Sequence, residues 1–249
     1  MADLVLREHR GRSVHLILNR PDKLNSLNVA LFQALDDHVR AIAADPSGVA
    51  VVVVRGAGRC FSAGHDLSDI AAGEKPPEAN YQAKVIERLA NLPFPVISAV
   101  HGHCYTGALE LALSGDLILA AESAKFADTH ARWALTPVWG LSQRLPRRIG
   151  TSRAREMMFT CRTYSGREAE AMGLANACFA DDAFEAGIVA WADEIAANSS
   201  FSHAANKRLL DTTDGLPLPA GLAHEIYRSE GRGHDMHERI AAFAARKKG

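Results

Sequence analysis

A carboxylate sits where one is not expected in GHCYTGALELALSGDLILAA, residues 102–121. Glu110 lies there between Leu109 and Leu111, among apolar and small residues. Burying an ionised carboxylate is costly unless it finds a partner. Two roles fit: a proton-handling group in a site, or the buried partner of a core Arg or Lys. The local pattern bears on both. YTGALEL and FSAGHDL share a form, with a strand end, small residues including a glycine, and then a helix-forming segment. Such turns expose backbone N–H groups that a helix cannot satisfy internally, and glycine lets a ligand approach that backbone closely. Two of them facing one another would hold an oxyanion between two N–H donors. Glu110 follows Gly107 by three residues, so in a helix it faces much the same way. An acid/base beside an oxyanion hole is one reading, and a structural ion pair is the other.

Other chemical patterns fail on inspection. RGAGRCFSAG follows a strand but is not GxGxxG, because Phe61 takes the third glycine's place, and there is no GK[ST]. HGHC sets His101, His103 and Cys104 at tempting metal spacing. In a continuing strand, however, the two histidines point to one face and Cys104 to the other, so packing is the reading and no metal is expected. There is no GxSxG elbow of the α/β-hydrolase kind.

The elements that must position these residues follow from periodicity. LVLREHRGRSVHLILN alternates and turns at Gly11, which predicts an antiparallel hairpin. NVALFQALDDHVRAIAAD has helical spacing at Leu31, Leu35, Val39 and Ile42, with Asn28 as N-cap. VAVVVVRG and PVISAV read as buried strands, with a helix between them over residues 80–91. A short helix over 107–114, the turn SGD and the strand LILAA complete a β–α–β order up to about residue 127, which points to sheets covered by helices. From about residue 142 the chain reads as mostly helical. The weakest boundary is at 199–217, where Ser, Asp, Gly and Pro cluster. We therefore expect a core over 1–198 and a helical region over 199–249.

Composition narrows the classes. The 249 residues carry a net charge of −1 with no basic stripe, and the one dense basic run, ARKKG, reads as a solvated end. No nucleic-acid partner is expected. The longest apolar run, VAVVVV, is strand-sized, so no membrane span is expected. MADLVLREHRGR has charges where a signal peptide needs its apolar region. The four cysteines form no CxxC pair and read as reduced core residues of a cytoplasmic protein.

Several of these segments together resemble the crotonase (enoyl-CoA hydratase/isomerase) superfamily. NRPDKLNSLN resembles its A-loop, and GRCFSAGHDL its first oxyanion-hole segment. AVHGHCYTGALELALSGDLILAAESAKFA resembles the second. LTPVWGLSQRLPRRIG and SGREAEAMGLAN match the segments that follow. The resemblance implies an α/β fold, a crotonase-like spiral of ββα units making two sheets, with a C-terminal helical trimerisation region. It implies a homotrimer or dimer of trimers acting on an acyl-CoA, with coenzyme A as part of the substrate and no separate cofactor. Carried over, the oxyanion donors are the backbone N–H groups of His65 and Gly107, converging on one point. Lys23 and Leu24 lie near the CoA moiety, and Ala63, Asp66, Leu67 and Ser68 near the thioester and pantetheine. Tyr105, Thr129 and Pro137 also border the substrate.

One departure concerns the reaction. Hydratases of this family carry two glutamates flanking the attacking water. Glu110 matches the first. The second is expected four residues after Phe126, in FADTHARWALTP, and that position is His130, preceded by Thr129 where a proline is common. Asp128 is near but not at the matching position. Histidine can do acid/base work near neutrality, or it can mark lost activity. Hydration of a 2-enoyl-CoA is the reading. The alternatives are another crotonase reaction, such as isomerisation or decarboxylation, or an acyl-CoA-binding protein of low activity. Trp133 and Trp139 either narrow the acyl pocket or pack beside the sheet.

Overall fold

Alternation and helical spacing build two sheets and the helices that cover them. A computed structural model of the chain describes residues 3–246. Met1, Ala2 and the end of the ARKKG run lie outside the described residues. The hairpin of β1 (Val5–Arg10) and β2 (Ser13–Leu18) turns at Gly11 as expected. Helix α1 (Val29–Ala44) starts at Asn28, whose side chain accepts from the Leu31 N–H at 3.0 Å. Next come β3 (Val51–Gly56), α2 (Leu67–Ala72), α3 (Tyr81–Ala90), β4 (Val96–Val100), β5 (His103–Tyr105) and α4 (Gly107–Ala112). They are followed by β6 (Leu117–Ala121), β7 (Lys125–Ala127), a 3-10 turn at His130–Trp133, α5 (Leu141–Ile149) and α6 (Thr151–Thr160). The rest is β8 (Tyr164–Ser165), α7 (Gly166–Ala171), β9 (Ala177–Phe179), α8 (Phe184–Ala197), α9 (Ser200–Thr213), α10 (Leu218–Arg228) and α11 (Met236–Arg246).

The larger sheet runs β1-β2-β3-β4-β6-β9, and the smaller runs β5-β7-β8. From β2 onward the larger sheet is parallel, so each added strand needs a crossover that lays helix on the sheet. Period-two alternation sorts the side chains. Val14, Leu16, Leu18, Val52, Val54, Val96 and Val100 join the main core with α1 and α3. Val51, Val53, Ile97 and Leu119 face the other way and are covered by Phe184 and Ile188 of α8. Burial on both faces explains why these strands read as near-continuous apolar runs.

The strand through HGHC does not continue. It breaks at Gly102, φ 54°, so β4 and β5 belong to different sheets. His101 then bonds the Gly58 carbonyl at 2.9 Å, and His103 the Tyr105 hydroxyl at 3.0 Å. The break matters because it delivers β5, and the turn after it, to the mouth of α4. The four cysteines are buried and unpaired. No helix among the described residues is long and apolar enough to cross a membrane.

Candidate active site

Glu110 is not the partner of a core Arg or Lys. It is 1% exposed. Its Oε1 accepts from the backbone N–H of Trp139 at 2.8 Å and of Leu141 at 3.2 Å. Leu141 opens α5, and Gly140 between the two donors adopts φ 114°, a left-handed value that favours glycine. The carboxylate thus sits at the N-terminus of α5, where free N–H groups and the helix dipole favour a negative charge. Burial pushes the Glu110 carboxyl above its ordinary value, and the two backbone N–H groups pull the other way.

Its second oxygen faces His130. Glu110 Oε2 and His130 Nε2 are 3.9 Å apart, too far for a direct hydrogen bond. On the other edge of the ring, His130 Nδ1 lies 2.6 Å from Asp128 Oδ1. The same oxygen accepts the His130 backbone N–H at 3.1 Å. All three side chains are buried. A carboxylate only accepts, so Nδ1 carries a proton and the lone pair of a neutral ring falls on Nε2, toward Glu110. Asp128 was set aside in the sequence because it misses the matching position. The signal that finds it is the D-x-H spacing just past β7, which lets the carboxylate reach both the backbone nitrogen and Nδ1 of the residue two places on.

The two turns of like form come together. A Cβ on Gly107 would lie 3.3 Å from the His65 backbone nitrogen and 2.6 Å from Trp139 Cζ3, so only glycine fits. Among the described residues, the N–H groups of His65 and Gly107 donate to no protein acceptor. Gly107 opens α4, so its N–H has no partner within the helix. Thr106 aims it. This β-branched residue takes φ 55°, ψ −108°, a conformation costing on the order of 1–3 kcal/mol. It is held there by its N–H to the Ala127 carbonyl at 2.8 Å and by its hydroxyl, which receives the Thr129 N–H at 3.0 Å and lies 2.5 Å from the Thr129 hydroxyl.

One cavity of about 730 Å³ joins these groups. Of the residues expected from sequence, Ala63, His65, Leu67, Tyr105, Gly107, Glu110, Thr129 and His130 line it, and so do Trp133 and Trp139. Lys23, Leu24, Asp66, Ser68 and Pro137 are not in its wall. Lys23 is exposed on a 3-10 turn, and the Leu24 carbonyl accepts the Ala63 N–H at 2.9 Å. Asp66 caps α2 through the Ser68 N–H at 3.2 Å. Pro137 lies between two lining residues, Thr136 and Val138. Glu74 is in the wall and was not anticipated. A carboxylate, a carboxylate–histidine pair and two unpartnered amides around one cavity suit chemistry in which a proton moves and negative charge develops on an oxygen.

A family model described as "Enoyl-CoA hydratase/isomerase" matches residues 10–248. A probable enoyl-CoA hydratase of Rhizobium meliloti is 33% identical, over 99% of this chain and 96% of that protein. The 2,3-dehydroadipyl-CoA hydratase of Escherichia coli is 31% identical, over 99% and 97%. The crystal structure of an enoyl-CoA hydratase from Bacillus anthracis superposes with a TM-score of 0.89 at 31% identity, over 98% of this chain and 96% of that one.

Proposed function

The chain belongs to the enoyl-CoA hydratase/isomerase family of the crotonase superfamily, and we propose that it is a hydratase, adding water to the double bond of a 2-enoyl-CoA thioester. The observation that carries this reading is the 3.9 Å separation of Glu110 Oε2 and His130 Nε2, in a cavity shared with two unpartnered amides. One water can lie at about 2.8 Å from both atoms, the usual hydrogen-bond distance. The thioester oxygen takes hydrogen bonds from the His65 and Gly107 amides.

The water oxygen bonds to Cβ while His130 Nε2 takes its proton. The π electrons move toward the thioester, and the oxygen becomes enolate-like between the two N–H donors. Glu110, protonated on Oε2, delivers a proton to Cα. Asp128 supports the imidazolium that forms, as an orienting carboxylate does in other acid/base relays. The next water, touching both groups, carries the proton from His130 back to Glu110. Coenzyme A enters as part of the substrate, and no cofactor is called for. The same reading takes the protein to be cytoplasmic, and a homotrimer or dimer of trimers.

The test is incubation with crotonyl-CoA and longer 2-enoyl-CoAs, following the absorbance of the conjugated thioester. Hydration removes it. Glu110→Gln should slow that loss about 100-fold or more, the scale of a lost acid/base group. Unchanged absorbance together with calorimetric affinity would instead identify a binding protein.

A further inference from the structure

A second carboxylate–histidine pair borders the cavity, and its side chains have no part in the scheme above. It is His65 with Glu74. Helix α2 ends at Gly73, φ 71°, and the chain folds back so that the Glu74 N–H reaches the Asp69 carbonyl at 3.1 Å. That turn carries the Glu74 side chain to His65, nine residues earlier. Its oxygens lie 2.8 and 3.0 Å from His65 Nε2, which therefore holds a proton. Glu74 is itself fixed from α3, where the buried Gln82 donates to it at 2.7 Å. The imidazole also packs on the Trp139 ring, with centroids 4.6 Å apart and planes tilted by 40°. Both members of the pair are mostly buried, so this is not a solvated surface contact of little consequence.

The His65 ring is thus held at its edge by a carboxylate and on its face by an indole. The peptide plane that carries the His65 N–H is already pinned on one side, where the Gly64 carbonyl accepts the Leu27 N–H at 2.8 Å, and the held ring adds a second restraint through the shared Cα. We propose that Glu74 is a positioning residue. Through the His65 imidazole it fixes the direction of the His65 N–H, one of the two donors to the thioester oxygen. This rests on the oxyanion-hole reading given above. Hydrogen bonds weaken steeply as they bend, so an amide free to rock stabilises an enolate less than one held on target. Trp139 braces both halves of the site, since its ring meets His65 and its backbone N–H meets Glu110.

Acetoacetyl-CoA tests this without needing turnover, because its enolate has its own ultraviolet absorbance. The wild type should raise the enolate fraction of the bound ligand. Glu74→Ala should lower the ratio of enolate to keto form about tenfold, less than loss of a whole donor. Its affinity for saturated butyryl-CoA should stay within a few-fold of wild type on the same ground, because a ground-state carbonyl gains least from the donor. Glu74→Gln keeps an acceptor for His65 Nε2 and should retain most of the enolate signal. If the alanine variant does not fold, Glu74→Asp carries the same expectation, because it withdraws the carboxylate by one methylene. An enolate ratio equal to wild type in a folded Glu74→Ala or Glu74→Asp protein overturns the proposal. A wild type that binds the ligand without any enolate signal overturns the oxyanion-hole reading beneath it.

Discussion

Glu110 tolerates its burial because one oxygen is spoken for by two backbone amides while the other is left to face His130. In the proposed hydration this division gives the two oxygens separate roles, Oε1 as the anchor and Oε2 as the proton donor. Asp128 does for His130 what the Trp139 and Leu141 amides do for Glu110, fixing one edge so that the other is free. If Asp128 acts only through His130, its removal should matter only while His130 is present. Asp128→Asn is expected to lower kcat by about 10- to 100-fold, and Asp128→Asn with His130→Ala should be no slower than His130→Ala alone. Independent groups would multiply their losses, so a multiplicative double variant would refute the relay. His130→Glu, which restores two glutamates, should keep activity and move the pH profile, since a carboxylate and an imidazole titrate differently. Spacing alone put Glu110 and Gly107 on one helix face, the family resemblance singled out His65 and His130, and all four line one cavity. Asp128 and Glu74 were illegible for a different reason. Each reaches its histidine by way of a turn, at the end of β7 or of α2, that no periodicity reports.

At the scale of elements, the apolar runs announced their strands and the N-cap at Asn28 its helix. The segments that build the second sheet did not show. β5, β7 and β8 are two or three residues long, too short for alternation to register, and the equally short β9 joins the larger sheet by pairing with β6 through contacts distant in sequence. The break at Gly102 was likewise hidden inside a run that reads as one strand. A buried polar residue in the larger sheet gives a test of the assigned faces. His15 of β2 points away from Val14 and Leu16, toward the side covered by α8, and is 1% exposed. Ser13 meets its Nε2 at 3.2 Å, while its Nδ1 has no partner among the described residues. Burial, with help from Arg10 and Arg55, pushes its pKa down to about 4, against the pull of Glu185 and Glu8. The unfolded chain therefore binds this proton more readily, near pH 6.5, than the folded one. Stability from a neutral His15 is present above pH 6.5 and is lost as pH falls toward 4. Between pH 7 and pH 5 the loss should be on the order of 2 kcal/mol. Glu185, lowered to about 2 by Arg55 and Arg10, acts in the same direction but in a lower window. Urea unfolding at pH 7 and pH 5 should show the fall in wild type and a smaller one in His15→Leu. Equal falls in the two proteins would mean that His15 titrates freely and does not sit beneath α8.

The molecule as a whole carries an imbalance at its C-terminal end. The core up to α8 buries its apolar residues in two clusters. Beyond residue 199 the pattern inverts, with Ala205 the one buried residue of α9 and none in α10. Leu218, Leu222 and Ile226 recur every four residues along α10, forming a stripe on one face, and all three are exposed, as are Leu210 and Ile240. A helix of 11 residues is marginal in water by itself and gains most of its stability from packing an amphipathic face. Each such side chain, once covered, contributes about 1.5–3 kcal/mol, so this stripe amounts to a substantial share of a small domain's net stability. That the chain is mostly helical here, and that α11 is amphipathic, was legible from sequence, while α9 runs through the stretch from Ser199 that reads there as a weak boundary. What covers the stripe was not, because a single chain's hydrophobic pattern states that a face is buried and not against what. We expect a second copy of the chain, with residues 199–249 acting as the assembly region. Light scattering at micromolar concentration should then report a mass of three or six chains. Leu222→Asp with Ile226→Asp places two charges in the contact and should shift the protein to smaller species, with a lower melting temperature that becomes independent of protein concentration. A wild-type protein that scatters as one chain at that concentration would refute the assembly. The stripe would then have to be covered from within, by the C-terminal helices folding back over the cavity. In that case the aspartate pair should change acyl-CoA affinity and leave the mass as it was.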